Sequence, residues 1–217
     1  MQPSDAPAEA PPTDANAPVA SGRKRPKPGE RRAQILQALA TMLEQPGAER
    51  ITTSALAARL GVSEAALYRH FASKAQMFEA LIDFIESTVF GLVNQIAERE
   101  AEGAARASRI VAMVLQFAEK NPGMTRVMVG DALVFENERL QQRMNQLFDK
   151  LEAALRQGLR GPVVDGKDSG SATPTADAQL TASVLTAFMV GRLQRFARSG
   201  FRRLPSESID AVLARLL

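Results

Sequence analysis

A chain of 217 residues that is 45% hydrophobic is long enough for one large domain or two small ones and can bury a sizeable core. It holds no Cys and one His, which excludes disulfides, thiolate metal sites and multi-histidine centres, and leaves His70 as the sole candidate for a histidine-based triad. The formal net charge is only +3, but residues 23–32 (RKRPKPGERR) carry six Lys or Arg against one Glu, a local +5. Such an arm is drawn to phosphate by counterion release; it equally suits a solubilising tail.

Residues 1–22 are rich in Ala, Pro, Ser, Asp and Thr with almost no large apolar side chain. They cannot bury enough surface to offset the entropy of ordering, so a disordered tail is expected, continued as the basic arm to residue 29. The N-terminus lacks the apolar core of a signal peptide, and nothing approaches the ~18 consecutive apolar residues of a membrane span. The most apolar segment, Ala182–Val190, is interrupted by Ser183 and Thr186 and stopped by Arg192. These features predict a soluble cytoplasmic protein with no membrane partner.

From Glu30 the pattern turns helical. Ile35, Leu36, Leu39, Met42 and Leu43 predict an amphipathic helix to about Gln45, ended by Pro46-Gly47. Thr53–Leu60 reads as a short second helix. Gly61 allows a turn, Ser63 can cap, and Glu64–Phe71 reads as a third. Ser73 and Gln76 have capping-box spacing at the head of a long helix to about Arg99. Ala104–Lys120 follows, broken by Asn121-Pro122-Gly123. Thr125–Glu136 reads as one or two shorter helices. Leu140, Met144, Leu147, Phe148, Leu151 and Leu155 form a stripe ending near Arg160, and residues 161–174 read as a flexible loop. Asp177–Ser199 and Ser206–Leu217 complete about nine helices, with no convincing strand and no internal repeat. The expected class is all-α. The expected domains are a tail over 1–29, a helix-turn-helix unit over 30–73 and a helical bundle over 74–217.

Residues 52–71 carry the chemistry. Leu56, Leu60, Val62 and Leu67 are apolar where two short helices pack across a tight turn, Ala57 is small where they approach, and Gly61 sits where a positive φ is needed. Glu64, Ala65, Ala66, Tyr68, Arg69 and His70 are the expected exposed positions of the second helix, and small side chains at 65 and 66 admit it to a major groove. Tyr68 can donate to phosphate, Arg69 and His70 can reach backbone or base edges, and Thr52 and Thr53 offer hydroxyls beside free N–H groups at a helix start. Lys74 opens the next helix on the same side. An ordinary helical hairpin would share the bare helix–Gly–helix pattern, and a lone His at a helix end can be a capping or packing residue.

The run Leu67-Tyr68-Arg69-His70-Phe71-Ala72-Ser73-Lys74 closely resembles the DNA-binding domain of TetR-family regulators. The resemblance implies a TetR-like fold in which the rear helices dimerise, assigning Leu140–Arg160 and Asp177–Ser199 to dimer contacts; a stripe at helix spacing also fits intramolecular core. Further runs look like the nucleoid occlusion branch of that family: Arg50-Ile51-Thr52-Thr53, Gly61–Phe71, Leu81–Glu86, Asn121–Arg126 and Asn145-Gln146-Leu147-Phe148. That likeness implies a nucleoid-associated homodimer, with one or more dimers on each palindromic double-stranded DNA site, that antagonises the tubulin-like division GTPase FtsZ. By the same likeness Thr52, Thr53, Ala65, Tyr68, Arg69, His70 and Lys74 contact DNA. Phe84, Lys120 and Asn121 meet the partner in a groove behind the reading head. Lys120 stands where Arg is more usual, keeping the charge but losing the planar fork, and Thr88–Leu92 carries no Arg where one is expected. Periodicity alone would make Phe84 a core residue.

The competing reading is a ligand-responsive transcriptional repressor, which needs a roomy apolar pocket in the rear bundle; a filled core favours the division inhibitor. An enzyme finds no support: there is no Gly-rich phosphate loop and no HExxH, and the single His lies in the reading helix. No cofactor or metal is expected.

Overall fold

Every regular element in the computed structural model, which describes residues 29–45, 50–160 and 174–217, is helical. The expected tail over 1–22, most of the basic arm, the Pro46-Gly47 break and residues 161–173 lie outside the described residues. In chain order come α1 (Glu30–Leu43), α2 (Thr53–Leu60), α3 (Glu64–Tyr68), α4 (Lys74–Arg99), α5 (Gly103–Lys120), α6 (Pro122–Met128), a 3-10 turn (Asp131–Leu133), α7 (Glu138–Leu159), α8 (Pro174–Arg198) and α9 (Ile209–Leu216).

The first three helices form a small unit on Ile35, Leu39, Leu43, Leu56, Leu67 and Phe71, all about 1% exposed. Their core is continuous with that of the rear bundle, where α7 lies along α8, α5 packs between α4, α7 and α8, and α9 closes on α5. Of the stripe that the resemblance assigns to dimer contacts, Leu140, Met144, Leu147, Leu151 and Leu155 are buried within the single chain and Phe148 is half-buried.

Local chemistry explains where the observed boundaries differ from the expected ones. α3 stops at Tyr68, not Phe71, because His70 N–H turns in to the Leu67 carbonyl at 2.9 Å and the last turn tightens to 3-10 geometry. α6 starts at Pro122, three residues earlier than expected. A proline in the first turn loses nothing there, since its missing N–H would have had no helical partner. The Thr125 hydroxyl donates back to the Ala118 carbonyl at 2.8 Å, so α5 folds directly into α6. α9 starts at Ile209, since Ser208 is left-handed at φ 55°. At α4, Ser73 Oγ accepts from Gln76 N–H at 3.2 Å, but the Gln76 side chain accepts from Ala72 N–H, one residue before the cap. The expected capping box is therefore half-formed and shifted.

α4 carries the unit of α1, α2 and α3 into the bundle. By length and hydropathy this helix, rather than the Ala182–Val190 segment, resembles a membrane span. Met77, Phe78, Leu81, Ile82, Ile85 and Val89 bury its apolar face. Its acidic face pairs with α7: Arg139 with Glu79, Arg143 with Asp83 at 2.8 Å and Glu86 at 2.5 Å, and Lys150 with Glu86 at 3.8 Å. Partial burial disfavours the Arg143 charge, but hydrogen bonds to those two carboxylates more than compensate and hold its pKa above the ordinary value.

Gly123 sets the distance between the three-helix unit and the bundle. A Cβ placed there would lie 2.0 Å from the Ala40 carbonyl oxygen of α1. Only glycine lets α6 approach α1 this closely.

Candidate nucleic-acid interface

The helix-turn-helix is assembled from three capping devices. Thr52 Oγ1 accepts from Ala55 N–H at 3.2 Å and opens α2. Gly61, left-handed at φ 65°, closes it: Gly61 N–H bonds the Ala58 carbonyl at 3.1 Å and Val62 N–H the Ala57 carbonyl at 3.0 Å, a Schellman pair. Ser63 Oγ then accepts from Ala66 N–H at 3.3 Å and starts α3. Leu56 and Ala57 are buried beneath the turn, and Leu67 pins α3 from below. Truncating a leucine so enclosed typically costs ~2–5 kcal/mol.

This arrangement brings most of the expected reading residues to one surface. Ala65 and Arg69 are exposed, and Tyr68 is 44% exposed. The Tyr68 hydroxyl donates to Thr53 Oγ1 at 3.4 Å, and Thr53 Oγ1 donates to Glu64 Oε2 at 2.6 Å. That chain ties α3 to the start of α2 and engages the Glu64 carboxylate. Thr52 is exposed and Thr53 half-buried. Ala66 and His70, expected exposed, are half-buried instead, because both line a cleft between α3 and α1 with Arg31, Ile35 and Arg69. Lys74 is held: its ammonium sits 2.5 Å from Glu136 and lies over the Phe78 ring. A phosphate contact from this side chain would have to displace that carboxylate.

Sequence reasoning singled out neither Arg31 nor Arg32. The Arg32 guanidinium donates to the His70 carbonyl and stacks on Phe71, with Cζ 4.0 Å from the ring centroid. The sequence shows only a basic run; nothing in it separates the arginine that faces the reading helix from its neighbours.

A second feature lies behind the reading head. Phe84 is 48% exposed, contrary to the core position that periodicity favours. With Leu81 from α4, Ala33, Leu36 and Gln37 from α1, and Met124 from α6, it lines a largely apolar groove of about 170 Å³. Lys120 and Asn121 do not line the groove itself. They stand at the α5–α6 corner, Lys120 exposed, one turn before Met124. Asn121 spends its amide donor on the Phe117 carbonyl at 2.7 Å, which leaves its side-chain oxygen for a partner. The contribution of Met124 was invisible in the sequence, where it belongs to a short motif with no periodic context.

The rear bundle bears on the ligand question. Met77, Ile82, Ile85, Val111, Val114, Leu115, Leu147, Leu151, Leu185 and Met189 have no accessible surface. Side chains in that condition adjoin no void large enough for water, so the heart of the described bundle is filled. Its outer side is different. Leu180 and Val184 on α8 are 67% and 44% exposed, and Ala187 and Gly191 continue the same face at helical spacing. Leu185, Leu193 and Phe196 of the same helix point inward.

Comparison with known proteins covers both halves of the chain. Residues 35–81 match the family of bacterial regulatory proteins of the tetR type, and residues 102–216 match the tetracyclin repressor-like C-terminal domain. The nucleoid occlusion factor SlmA of Alteromonas mediterranea is 49% identical over 184 residues, covering 85% of this chain and 92% of that protein. SlmA of Citrobacter koseri is 51% identical over 182 residues, covering 83% and 90%. Among solved structures, a TetR-like transcriptional regulator from a Rhodococcus species superposes with a TM-score of 0.67 at 17% identity, covering 88% of this chain and 97% of the other. The TetR-family regulator PfmR from Thermus thermophilus gives 0.64 at 21% identity, covering 86% and 95%. At such identities these structures establish the fold alone.

Proposed function

The chain belongs to the SlmA family of TetR-type regulators, and on that premise we propose that it is a nucleoid occlusion factor. It binds palindromic chromosomal DNA as a homodimer and, while bound, inhibits FtsZ-dependent septum formation over the nucleoid. The observation that carries this reading is identity of about one half to nucleoid occlusion factors across 83–85% of the chain, through the reading helix and the bundle alike.

Each part has a physical counterpart. Ala65, Tyr68, Arg69 and His70 enter the major groove; Thr52 and Thr53 bind phosphate at the start of α2; Lys74 adds a phosphate contact once released from Glu136. The exposed α8 face of Leu180, Val184, Ala187 and Gly191 supplies the dimer contact, its small residues allowing close helix approach. The groove of Phe84 and Met124, with Lys120 and Asn121 at its corner, receives FtsZ: an apolar floor beside a cation suits an extended segment carrying apolar and acidic side chains. The protein acts by binding, without catalysis. A ligand-responsive repressor would need a void, and against it ten apolar side chains at the heart of the described bundle have no accessible surface.

The test is co-sedimentation of FtsZ polymers with this protein, with and without a duplex enriched from a random pool by the protein itself. The expected result is DNA-stimulated loss of polymer. Unchanged polymer and unchanged GTP-dependent assembly, with the duplex bound, would remove the division role. Tyr68→Ala with His70→Ala should weaken duplex binding while circular dichroism stays helical; undiminished affinity would take those residues out of the readout.

A further inference from the structure

We infer that Arg32 is a positioning residue for the DNA-reading helix, an inference that rests on the DNA-binding reading above. α3 spans only five residues, Glu64–Tyr68. Isolated helices below ~12–15 residues are marginal in water, so the pose of α3 comes from anchors outside it. Leu67 in the core fixes its depth, and the Tyr68–Thr53–Glu64 hydroxyl chain fixes its start against α2. The far end, from which Arg69 and His70 project, is held from α1.

There the Arg32 guanidinium makes two contacts at once. One N–H donates to the His70 carbonyl, an acceptor left open where the helix ends. The cationic plane lies over Phe71, whose ring is 1% exposed and therefore itself fixed. A planar guanidinium satisfies both, with its edge to the carbonyl and its face to the ring; a lysine ammonium carries the charge but cannot do both. The cation also sits at the negative end of the α3 dipole. Arg31 differs: it bonds Gln34 within its own helix at 2.9 Å. Neighbouring arginines of one basic run thus do different work. Arg32 ties the orientation of α3 to α1, and Arg69 and His70 take their aim from that tie.

The experiment compares full-length wild type, Arg32→Lys and Arg32→Gln. Binding is measured across a salt series, to the duplex that the wild type enriches from a random pool and to a scrambled duplex. Amide hydrogen exchange of residues 69–72 is followed without DNA. Arg32→Lys should lose about tenfold in affinity for the enriched duplex and stay within twofold on the scrambled one, with an unchanged salt slope and faster exchange at 70–72. Arg32→Gln should add a slope decrease of about 0.9 if the charge also meets phosphate. Arg32→Lys that keeps wild-type affinity for the enriched duplex overturns the inference, as does an equal loss on both duplexes, which marks a plain charge contact. A wild type that enriches no duplex sinks the DNA reading itself; the exchange comparison still judges the anchor, and unchanged protection at 70–72 overturns it.

Discussion

Replacing Gly123 by Ala tests how firmly the reading unit is seated on the bundle. The new Cβ would lie 2.0 Å from the Ala40 carbonyl oxygen and 2.9 Å from its carbon, whereas real Cβ contacts stay beyond 3.0 Å. Both neighbours are backbone, so no side chain can swing aside, and α1 and α6 must separate by at least about 1 Å. Overpacking of this kind costs ~1–3 kcal/mol, and relief of helical glycine returns up to ~1 kcal/mol, so a net destabilisation of about 1–2 kcal/mol is expected. For a chain of this size that corresponds to a melting temperature lower by about 2–8 °C, readable by circular dichroism or calorimetry. The displacement would also widen the groove, since Ala33, Leu36 and Gln37 line one side and Met124 the other. FtsZ binding should therefore weaken by more than the population of unfolded protein explains. An unchanged melting temperature together with unchanged FtsZ binding would refute the argument that Gly123 sets this spacing.

Four other outcomes are expected. Glu136→Gln removes the carboxylate that holds Lys74, so DNA affinity at low salt should rise a few-fold with a salt slope steeper by up to ~0.9; no change in a salt-titrated binding assay would keep Lys74 off the DNA. Phe84→Ala should abolish FtsZ binding in a sedimentation assay while DNA affinity holds and folding loses only about 1 kcal/mol, because half of the side chain is already exposed. Val184→Glu places a charge on the free face of α8 and should shift sedimentation velocity from dimer to monomer; a persistent dimer would move the interface elsewhere. Thr186→Val removes a buried hydroxyl that has no hydrogen-bond partner among the described residues, at nearly constant volume, so the unfolding free energy from denaturant titration should hold or rise by up to ~1 kcal/mol; a loss of more than ~1 kcal/mol would mean the hydroxyl has a partner.

Most helices were legible because their signals are local. The Gly61 turn and the Ser63 and Ser73 caps lie within a few residues of the groups they satisfy, and each stands at an observed boundary. Legibility failed where distant chain decides. The period of α4 places Phe84 near its apolar stripe, but which edge of that stripe stays open depends on where α1 and α6 come to rest. Lys74 reads as a free cation until Glu136, 62 residues away, is brought against it. The α7 and α8 stripes look alike in sequence, yet α7 buries all of its stripe but Phe148, which is half-buried, while α8 leaves Leu180 and Val184 outside. Pairing partners, not periodicity, decide such cases.

The role of α1 follows from the same reasoning. Its inward residues Ile35 and Leu39 support the helix-turn-helix, its Ala33, Leu36 and Gln37 form one wall of the groove, and its Arg32 holds the end of the reading helix. A helix so engaged cannot tilt for one site alone. If docking on DNA shifts α3, the tie through Arg32 passes strain to α1, and Gly123 allows α6 no slack to absorb it. The groove must then change shape. Such a connection becomes allostery only when the two ligands are measured to alter each other's affinity by the same factor. FtsZ-segment affinity with and without duplex, set against duplex affinity with and without the segment, measures that factor from both directions. The Arg32→Lys and Gly123→Ala variants should reduce it towards one, while Glu136→Gln, which alters only the ion pair with Lys74 of α4, should leave it in place.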